Sequence, residues 1–345
     1  MDISSAFIAH YYSAVQSWLS AYLPHFASSA LALLASFIIF AILLAVLVMV
    51  FSYMFGWIER KTMARMQSRH GPTYVGKFGI LQNMADVIKL LSKENIVPDG
   101  ADKPLFRLVL PITYASFVMM LAFIPFTNAF IGIGTSLGLI VVFLLLSFVP
   151  LLLFLAGWSS GNKYGSISAQ RSVVMLVSYE LPLLLVIAAV ALMAGSYSFS
   201  GIVGAQSGMW YAVLMPIGFV IFFIVMLAEL ERPPFDIREA DNELIAGWLT
   251  DVGAPYYGLA LFLDYTRMFV GTLLISILFL GGWNGPVLPP FVWLMVKVVI
   301  LTFFIIVIRA TTVRMRLDRL LHFGWIYLLP LSVINLLISF ALFVR

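Results

Sequence analysis

Residues 228–251 read AELERPPFDIREADNELIAGWLTD, and this stretch is wedged between two strongly apolar runs. It carries seven carboxylates, Glu229, Glu231, Asp236, Glu239, Asp241, Glu243 and Asp251, against two arginines, Arg232 and Arg238. The local charge is thus −5 in a chain whose total is +4. An ionised group at mid-bilayer costs roughly 2.5–3.5 kcal/mol even on lenient scales, so these acids require water, partners or protons. Pro233-Pro234 ends the apolar run before them, because proline lacks the backbone donor and disfavours helix in the residue ahead of it. Asp236 then stands at an N-cap position with Glu239 three residues on, a capping-box arrangement. A capped helix explains those two residues. It leaves Glu231, Asp241 and the shared face of Asp236, Glu239 and Glu243 unexplained, and packed carboxylates raise one another's pKa.

The surroundings explain why such a stretch is exceptional. The chain is 62% hydrophobic and only 10% charged, with a mean hydropathy of +1.04, far from the roughly 25% charge of a soluble domain. Apolar runs long enough to cross about 30 Å recur at 30–57, 105–126, 137–157, 172–194, 210–228, 258–280, 290–309 and 323–344. The expectation is an all-α polytopic membrane protein of eight transmembrane helices, folded as a single membrane domain over 1–345. Charge supports the count. The segments 58–107, 158–171, 229–257 and 309–322 hold nine, two, two and four of the 20 Lys and Arg residues, whereas 127–136, 195–209 and 281–289 hold none. By the positive-inside rule this places the acidic loop, 229–257, on the cytoplasmic side and both termini outside a cell membrane, or an organellar inner membrane in a eukaryote.

Two further segments are organised by periodicity. Residues 58–104 alternate charges with apolar residues at helical spacing and are broken at Gly71-Pro72, which predicts cytoplasmic amphipathic helices between the first and second spans. Residues 1–29 are aromatic and only mildly apolar, which suits an outer-side interfacial segment. No basic residue precedes the first apolar residues, so no signal peptide is read there.

Several classes of chemistry are excluded. With no cysteine the chain holds no disulfide and no cysteine-ligated iron–sulfur cluster. No His or Cys cluster has metal-ligand spacing, no phosphate loop is present, and no basic patch alternates with aromatics as in nucleic-acid binders. No internal repeat supports an inverted-repeat transporter. The ionisable residues within the spans are therefore the candidates for function. They are Glu180, without a partner on its own helix; Asp264 and Arg267, three apart and readable as a structural pair; and Lys297, the counter-charge expected for Glu180. Arg309, Arg314, Arg316 and Arg319 crowd the end of the seventh span, where anchoring explains part of the cluster.

Several motifs in order carry a resemblance. Glu59-Arg60-Lys61, then Met66-Gln67-Ser68-Arg69-His70-Gly71-Pro72 and Val75-Gly76, Asn162-Lys163-Tyr164, Ser178-Tyr179-Glu180, and the block from Glu229 through Asp236, Glu239, Asp241 and Glu243 to Gly247-Trp248 resemble one membrane subunit of respiratory complex I, the one designated H in bacteria and 1 in mitochondria. Lys297, Arg309, Arg314, Arg316 and Asp318 keep the spacing of its seventh-helix end. The resemblance implies a proton-translocating oxidoreductase subunit that walls a quinone chamber. It implies partners: hydrophilic-arm subunits that carry the terminal iron–sulfur cluster, and neighbouring small membrane and antiporter-like subunits. Arg60, Arg69, Arg232, Phe235, Asp236, Arg314 and Arg316 would line the chamber. Glu180, Glu229, Glu239, Asp241, Glu243, Asp264 and Lys297 would form the proton path. The chain departs from the family pattern at Glu231, where Asn is usual, and at Lys77, Met175, Val313 and Arg319. The carrier therefore stays open between quinone and quinone-like molecules. An ion-conducting anchor of a nickel–iron hydrogenase and a stand-alone ion-coupled transporter remain as alternatives.

Overall fold

The structure, a computed structural model, describes residues 12, 13, 15–17, 25–128, 130–239 and 241–343. Most of the expected interfacial segment 1–29 lies outside them. The described residues are helical, without strands. Helix α1 (His25–Met66) is 42 residues long. It runs past the expected end of the first span at 57, because neither Gly-Pro nor any other breaker occurs before Gly71-Pro72. It stops in a Schellman turn in which Ser68, at φ 55°, donates to the Arg65 carbonyl and Arg69 donates to that of Ala64.

Helix α2 (Gln82–Leu91) is the expected amphipathic helix. It turns Asn83, Asp86, Val87 and Leu90 towards α1 and leaves Met84, Ile88 and Leu91 exposed. There follow α3 (Lys103–Phe123), α4 (Gly138–Ser159) and α5 (Lys163–Ala194). Pro111, Pro150 and Pro182 lie inside these helices, where neighbouring helices can satisfy the freed backbone groups.

The expected fifth span differs from a continuous helix. Residues 210–228 fold as the single turn α7 (Tyr211–Leu214), after a short α6 (Phe199–Ala205), and then as α8 (Pro216–Glu229), 14 residues long. Pro216 excludes helix at Met215, which sits at φ −129°, ψ 63°. Among the described residues, seven helices rather than eight are long and apolar enough to cross a membrane individually.

The turn α9 (Asp241–Leu244) is all that is helical of the acidic loop beyond one 3-10 turn at Gly247–Leu249. Helix α10 (Ala254–Phe279) is the centre of the bundle: every residue from Thr266 to Phe279 is buried. A helix apolar all round is expected only where neighbours surround it, and α1, α3 and α11 (Pro290–Thr311) pack against it. The last span, Leu317–Phe343, comprises α12 (Leu317–His322), a wider π-helical segment at Phe323–Leu328 and α13 (Leu329–Phe343).

Candidate functional site

The acidic stretch folds back onto the bundle instead of standing in water. Helix α8 ends in a second Schellman turn, with Glu231 donating to the Ala228 carbonyl at 3.1 Å and Arg232 to that of Leu227 at 3.4 Å. Glu231 takes the left-handed position of that turn, at φ 53°. Its buried carboxylate is held by both Arg238 and Arg267, and Arg267 also pairs with Asp264. Two cations and two carboxylates thus balance, with Glu231, Arg238 and Arg267 buried and Asp264 partly open to solvent. A buried ion pair is tolerable only with such close compensation.

Three hydrogen bonds fasten the loop to α5. Ser168 Oγ donates to the Arg238 carbonyl at 2.9 Å, Arg171 Nη1 donates to the Ile237 carbonyl at 3.2 Å, and Arg238 Nη1 donates to Ser172 Oγ at 3.4 Å. Within the loop, Gly247 crosses over Arg238. Gly247 has φ 57°, and a Cβ there would meet the Arg238 oxygen at 2.0 Å, so no other residue fits. On the opposite flank Met315 donates to the Pro234 carbonyl at 2.9 Å.

A second clamp lies beside the first. Glu59 near the end of α1 accepts from Arg232, at 3.2 Å, and from Arg309 of α11. The Arg232 guanidinium rests 5.7 Å from the centre of the Tyr265 ring. Next to it Arg60 pairs with Asp86 of α2 at 2.5 Å, and Gln82 donates to the same carboxylate at 3.1 Å. Burial opposes ionisation of Asp86, yet the hydrogen bonds from Arg60 and Gln82 outweigh it and hold its pKa below the usual carboxylate value. Arg60, Asp86 and Tyr265, with Ser52, Tyr53 and Asn83, line a cleft of about 60 Å³ between α1, α2 and α10.

Carboxylates continue away from this cleft. Glu239, partly buried, is pushed up to about 8 by burial and by the nearby Asp264 and Asp236. Arg238 is drawn down to about 10 by burial, with Arg267 adding to the effect, and stays cationic at neutral pH. Glu229 is fully buried at the end of α8, surrounded by Tyr179, Arg238, Arg267 and Glu180. At this level the π-helical segment brings Gly324 so close to α5 that a Cβ would lie 2.2 Å from the Ser178 carbonyl. Glu180, two residues on, opens into an apolar groove of about 440 Å³ between α4 and α5, lined by Ile140, Phe143, Leu144 and Phe148 among others.

The expected chamber residues do not share one place. Arg60 lines the cleft, Arg232 reaches its Tyr265 wall, and the half-buried Asp236 lies near Glu239. Arg314 is on the outer rim, donating to Glu243 at 2.8 Å, while Arg171 holds the other oxygen of Glu243 at 2.7 Å. These hydrogen bonds, that from Arg171 foremost, keep Glu243 below its ordinary pKa. Arg69 and Arg316 are at the periphery, Arg69 bonded to Gln67 and Arg316 3.8 Å from Asp318. Phe235 turns into the core instead, among Ser178, Tyr179, Leu320 and Phe323. The side chain of Asp241 lies outside the described residues.

Lys297 is not the counter-charge of Glu180. Its three protons go to the carbonyls of Leu280, Gly282 and Asn284 at 2.6, 2.7 and 3.0 Å, and it lies over the Trp210 and Trp293 rings. Those carbonyls end α10 and begin its following loop, at the far end of the bundle from the acidic stretch. An ammonium satisfied by a carbonyl cage has no need of a carboxylate.

Comparison with known proteins resolves the family. Residues 38–340 match the family of NADH dehydrogenases. The chain belongs to that family. It is 39% identical over 302 residues to the H-type subunit of the NADH-quinone oxidoreductase of Dehalococcoides mccartyi, covering 88% of this chain and 85% of the relative. A second H-type subunit from Syntrophobacter fumaroxidans is 39% identical over 309 residues, 87% of this chain and 93% of the relative, and that of Bacillus thuringiensis 41% over 287 residues, 81% and 86%. Family membership and the run of apolar helices make the chain a multi-pass membrane subunit of an oxidoreductase. Glu59, Arg171, Arg238 and Tyr265 are site residues that sequence reasoning missed. Their partners are remote in the chain, 173 residues away for Glu59 and Arg232. The one local signal was Glu231, set where the family pattern has Asn.

Proposed function

We propose that this chain is the complex I subunit that walls the quinone chamber and passes the consequence of carrier reduction to membrane proton translocation. The observation that carries this reading is the inward fold of the acidic stretch. Its Glu239 lies close to Asp264 of α10 and its Glu229 close to Glu180 of α5, while Asp264 adjoins Tyr265 of the Arg60–Asp86 cleft. At about 60 Å³ the cleft between α1, α2 and α10 is too small to enclose a carrier ring, so in this reading it marks where the three helices would part to admit a lipophilic carrier. Two of its walls are membrane helices, while Arg60, Asp86 and Tyr265 offer charge and hydrogen bonds to a polar headgroup.

The chain supplies no redox centre, so electrons must come from an iron–sulfur cluster of a hydrophilic-arm subunit. The rim formed by the exposed Arg69, Arg316 and Glu243 and the half-buried Arg314 is where that arm would seat. Reduction of a quinone-type carrier takes up protons. Adding or removing a proton beside coupled carboxylates shifts their neighbours, about 1.4 kcal/mol for each pKa unit. Glu239, titrating near neutrality, is poised to answer such a change.

In this reading α7 and α8 together make the eighth crossing, broken at Met215-Pro216. The acidic end then faces the cytoplasm and both termini lie outside, following the distribution of Lys and Arg. The decisive experiment substitutes Glu239→Gln in the intact assembly. Loss of carrier-linked proton translocation with the assembly intact supports the path; wild-type translocation removes Glu239 from it.

A further inference from the structure

A groove at the basic end of α1 lies on the side opposite the carrier cleft. It has a volume of about 590 Å³ and is walled by α1, α11 and the loop at Phe78. Trp57, Lys61 and Arg65 fall four residues apart along α1, and so do Ile58, Thr62 and Met66. One helical face therefore presents an aromatic ring followed by two cations, and the adjoining stripe is largely apolar. Phe303 and Val307 of α11 form the facing wall.

Charge separates this face from its neighbours. In the same run Glu59 and Arg60 turn inward and are paired, with Arg232 and Arg309 for one and Asp86 for the other. Lys61 and Arg65 have no carboxylate within ion-pair reach among the described residues. Anchoring by positive charge alone explains cations at this end. It does not explain why two of them share a concave surface with aromatic walls. Nor does it explain Phe78, whose backbone is held at φ 60° with its ring exposed at the rim while its carbonyl accepts from Trp57 Nε1 at 3.2 Å. A non-glycine residue held in the left-handed region needs support from its surroundings, and such residues cluster at ligand clamps.

The surface beyond the groove's own lining stays apolar. Val50, two turns before Trp57 on α1, and Ile300, two turns before Val307 on α11, are exposed by 59% and 50%, and Phe304, next to the lining residue Phe303, by 55%. Paired cations at the membrane edge, aromatic flanks and an apolar track below them match an amphiphile with an anionic head and acyl chains.

We propose that this groove binds one anionic phospholipid, its phosphate between Lys61 and Arg65 and its acyl chains along α1 and α11. The site is separate from the carrier cleft and does not depend on which carrier the assembly uses.

The test uses the whole purified assembly in neutral detergent, washed free of loose lipid and titrated with dioleoyl phosphatidylglycerol or dioleoyl phosphatidylcholine, with retained lipid counted by mass spectrometry. Retention of the anionic lipid should weaken about tenfold or more in the Lys61→Gln/Arg65→Gln double variant. It should persist in Lys61→Arg/Arg65→Lys, which keeps both charges. Equal retention of the two lipids by the wild-type assembly, or unchanged retention by the glutamine variant, overturns the proposal. Should the glutamine variant fail to assemble, a photoactivatable phosphatidylglycerol on the unaltered assembly decides. Labelling within 57–66 or at Phe78 supports the site, and labelling of this chain elsewhere alone, or of a neighbouring subunit covering the groove, overturns it.

Discussion

Glu231 and Glu180 are two carboxylates withdrawn from water in one chain, and the chain treats them in opposite ways. Glu231 is gripped by Arg238 and Arg267 and is 4% exposed. Glu180 opens into an apolar groove between α4 and α5, and among the described residues no cation is within ion-pair reach of it. The contrast teaches what this subunit settles by itself. Charges that hold the acidic loop in place are balanced internally, so the loop folds as part of this chain. The charge placed at the outward groove is left for a proton or for a neighbouring subunit to balance.

The largest effect should come from breaking the grip. Glu231→Ala leaves Arg238 and Arg267 buried with only Asp264 between them, and removing one member of a buried ion network costs about 3–5 kcal/mol. The thermal midpoint of the detergent-solubilised assembly should fall sharply, or assembly should fail. Glu231→Asn sharpens the point, since Asn favours the left-handed backbone but carries no charge. Unaltered stability in that variant would show the clamp to be dispensable.

Glu180→Gln should do the reverse. With no partner to lose, stability should change by less than about 1 kcal/mol, while proton translocation by the assembly declines strongly. A stability loss like that of Glu231→Ala would make Glu180 structural and erase the contrast.

Glu239 stands between the two in character, and its effect is read in pH. Its folded pKa, about 8, lies above its ordinary 4.5, so between these values the folded chain binds more protons than the unfolded one. Its contribution to stability therefore declines as pH rises from about 4.5 to about 8 and changes no further above that. Glu239→Gln should flatten the fall of the thermal midpoint across this window. A slope identical to wild type would place the titration elsewhere.

Glu243→Gln should matter least. The carboxylate is exposed, and bridges of that kind to Arg171 and Arg314 are worth at most about 1 kcal/mol each. The loss should shrink further as salt is raised, and a large salt-independent loss would mean that Glu243 belongs with the buried clamps.

Much of this was legible before any coordinates. The all-helical membrane class, the amphipathic α2, the special standing of residues 228–251 and the Asp264 and Arg267 pair follow from periodicity, composition and spacing, which are local properties. The continuous fifth span was wrong as a single helix, although Met215-Pro216 held the warning, since an apolar run is blind to backbone breaks. Pairing Lys297 with Glu180 failed for another reason. Two opposite charges in a bilayer invite a match, but an ammonium can be satisfied as well by carbonyls that only the turn after α10 brings together. Phe235, expected at the chamber, faces the core because the Schellman turn at Glu231 sets the direction of the loop that follows.

The sequence by itself determined that this is a polytopic membrane chain with an acidic stretch at one end of its helices, because hydropathy and the membrane cost of charge act residue by residue. Only the tertiary structure decided which acids are clamped and which are left open. That choice depends on arginines from α10, α11 and the loop itself converging in space on Glu59 and Glu231, and an ion pair forms where side chains meet, whatever their separation along the chain. Glu231 shows the division plainly. In the sequence it is a departure from a pattern, and in the fold it is the carboxylate that allows two buried arginines to share one site.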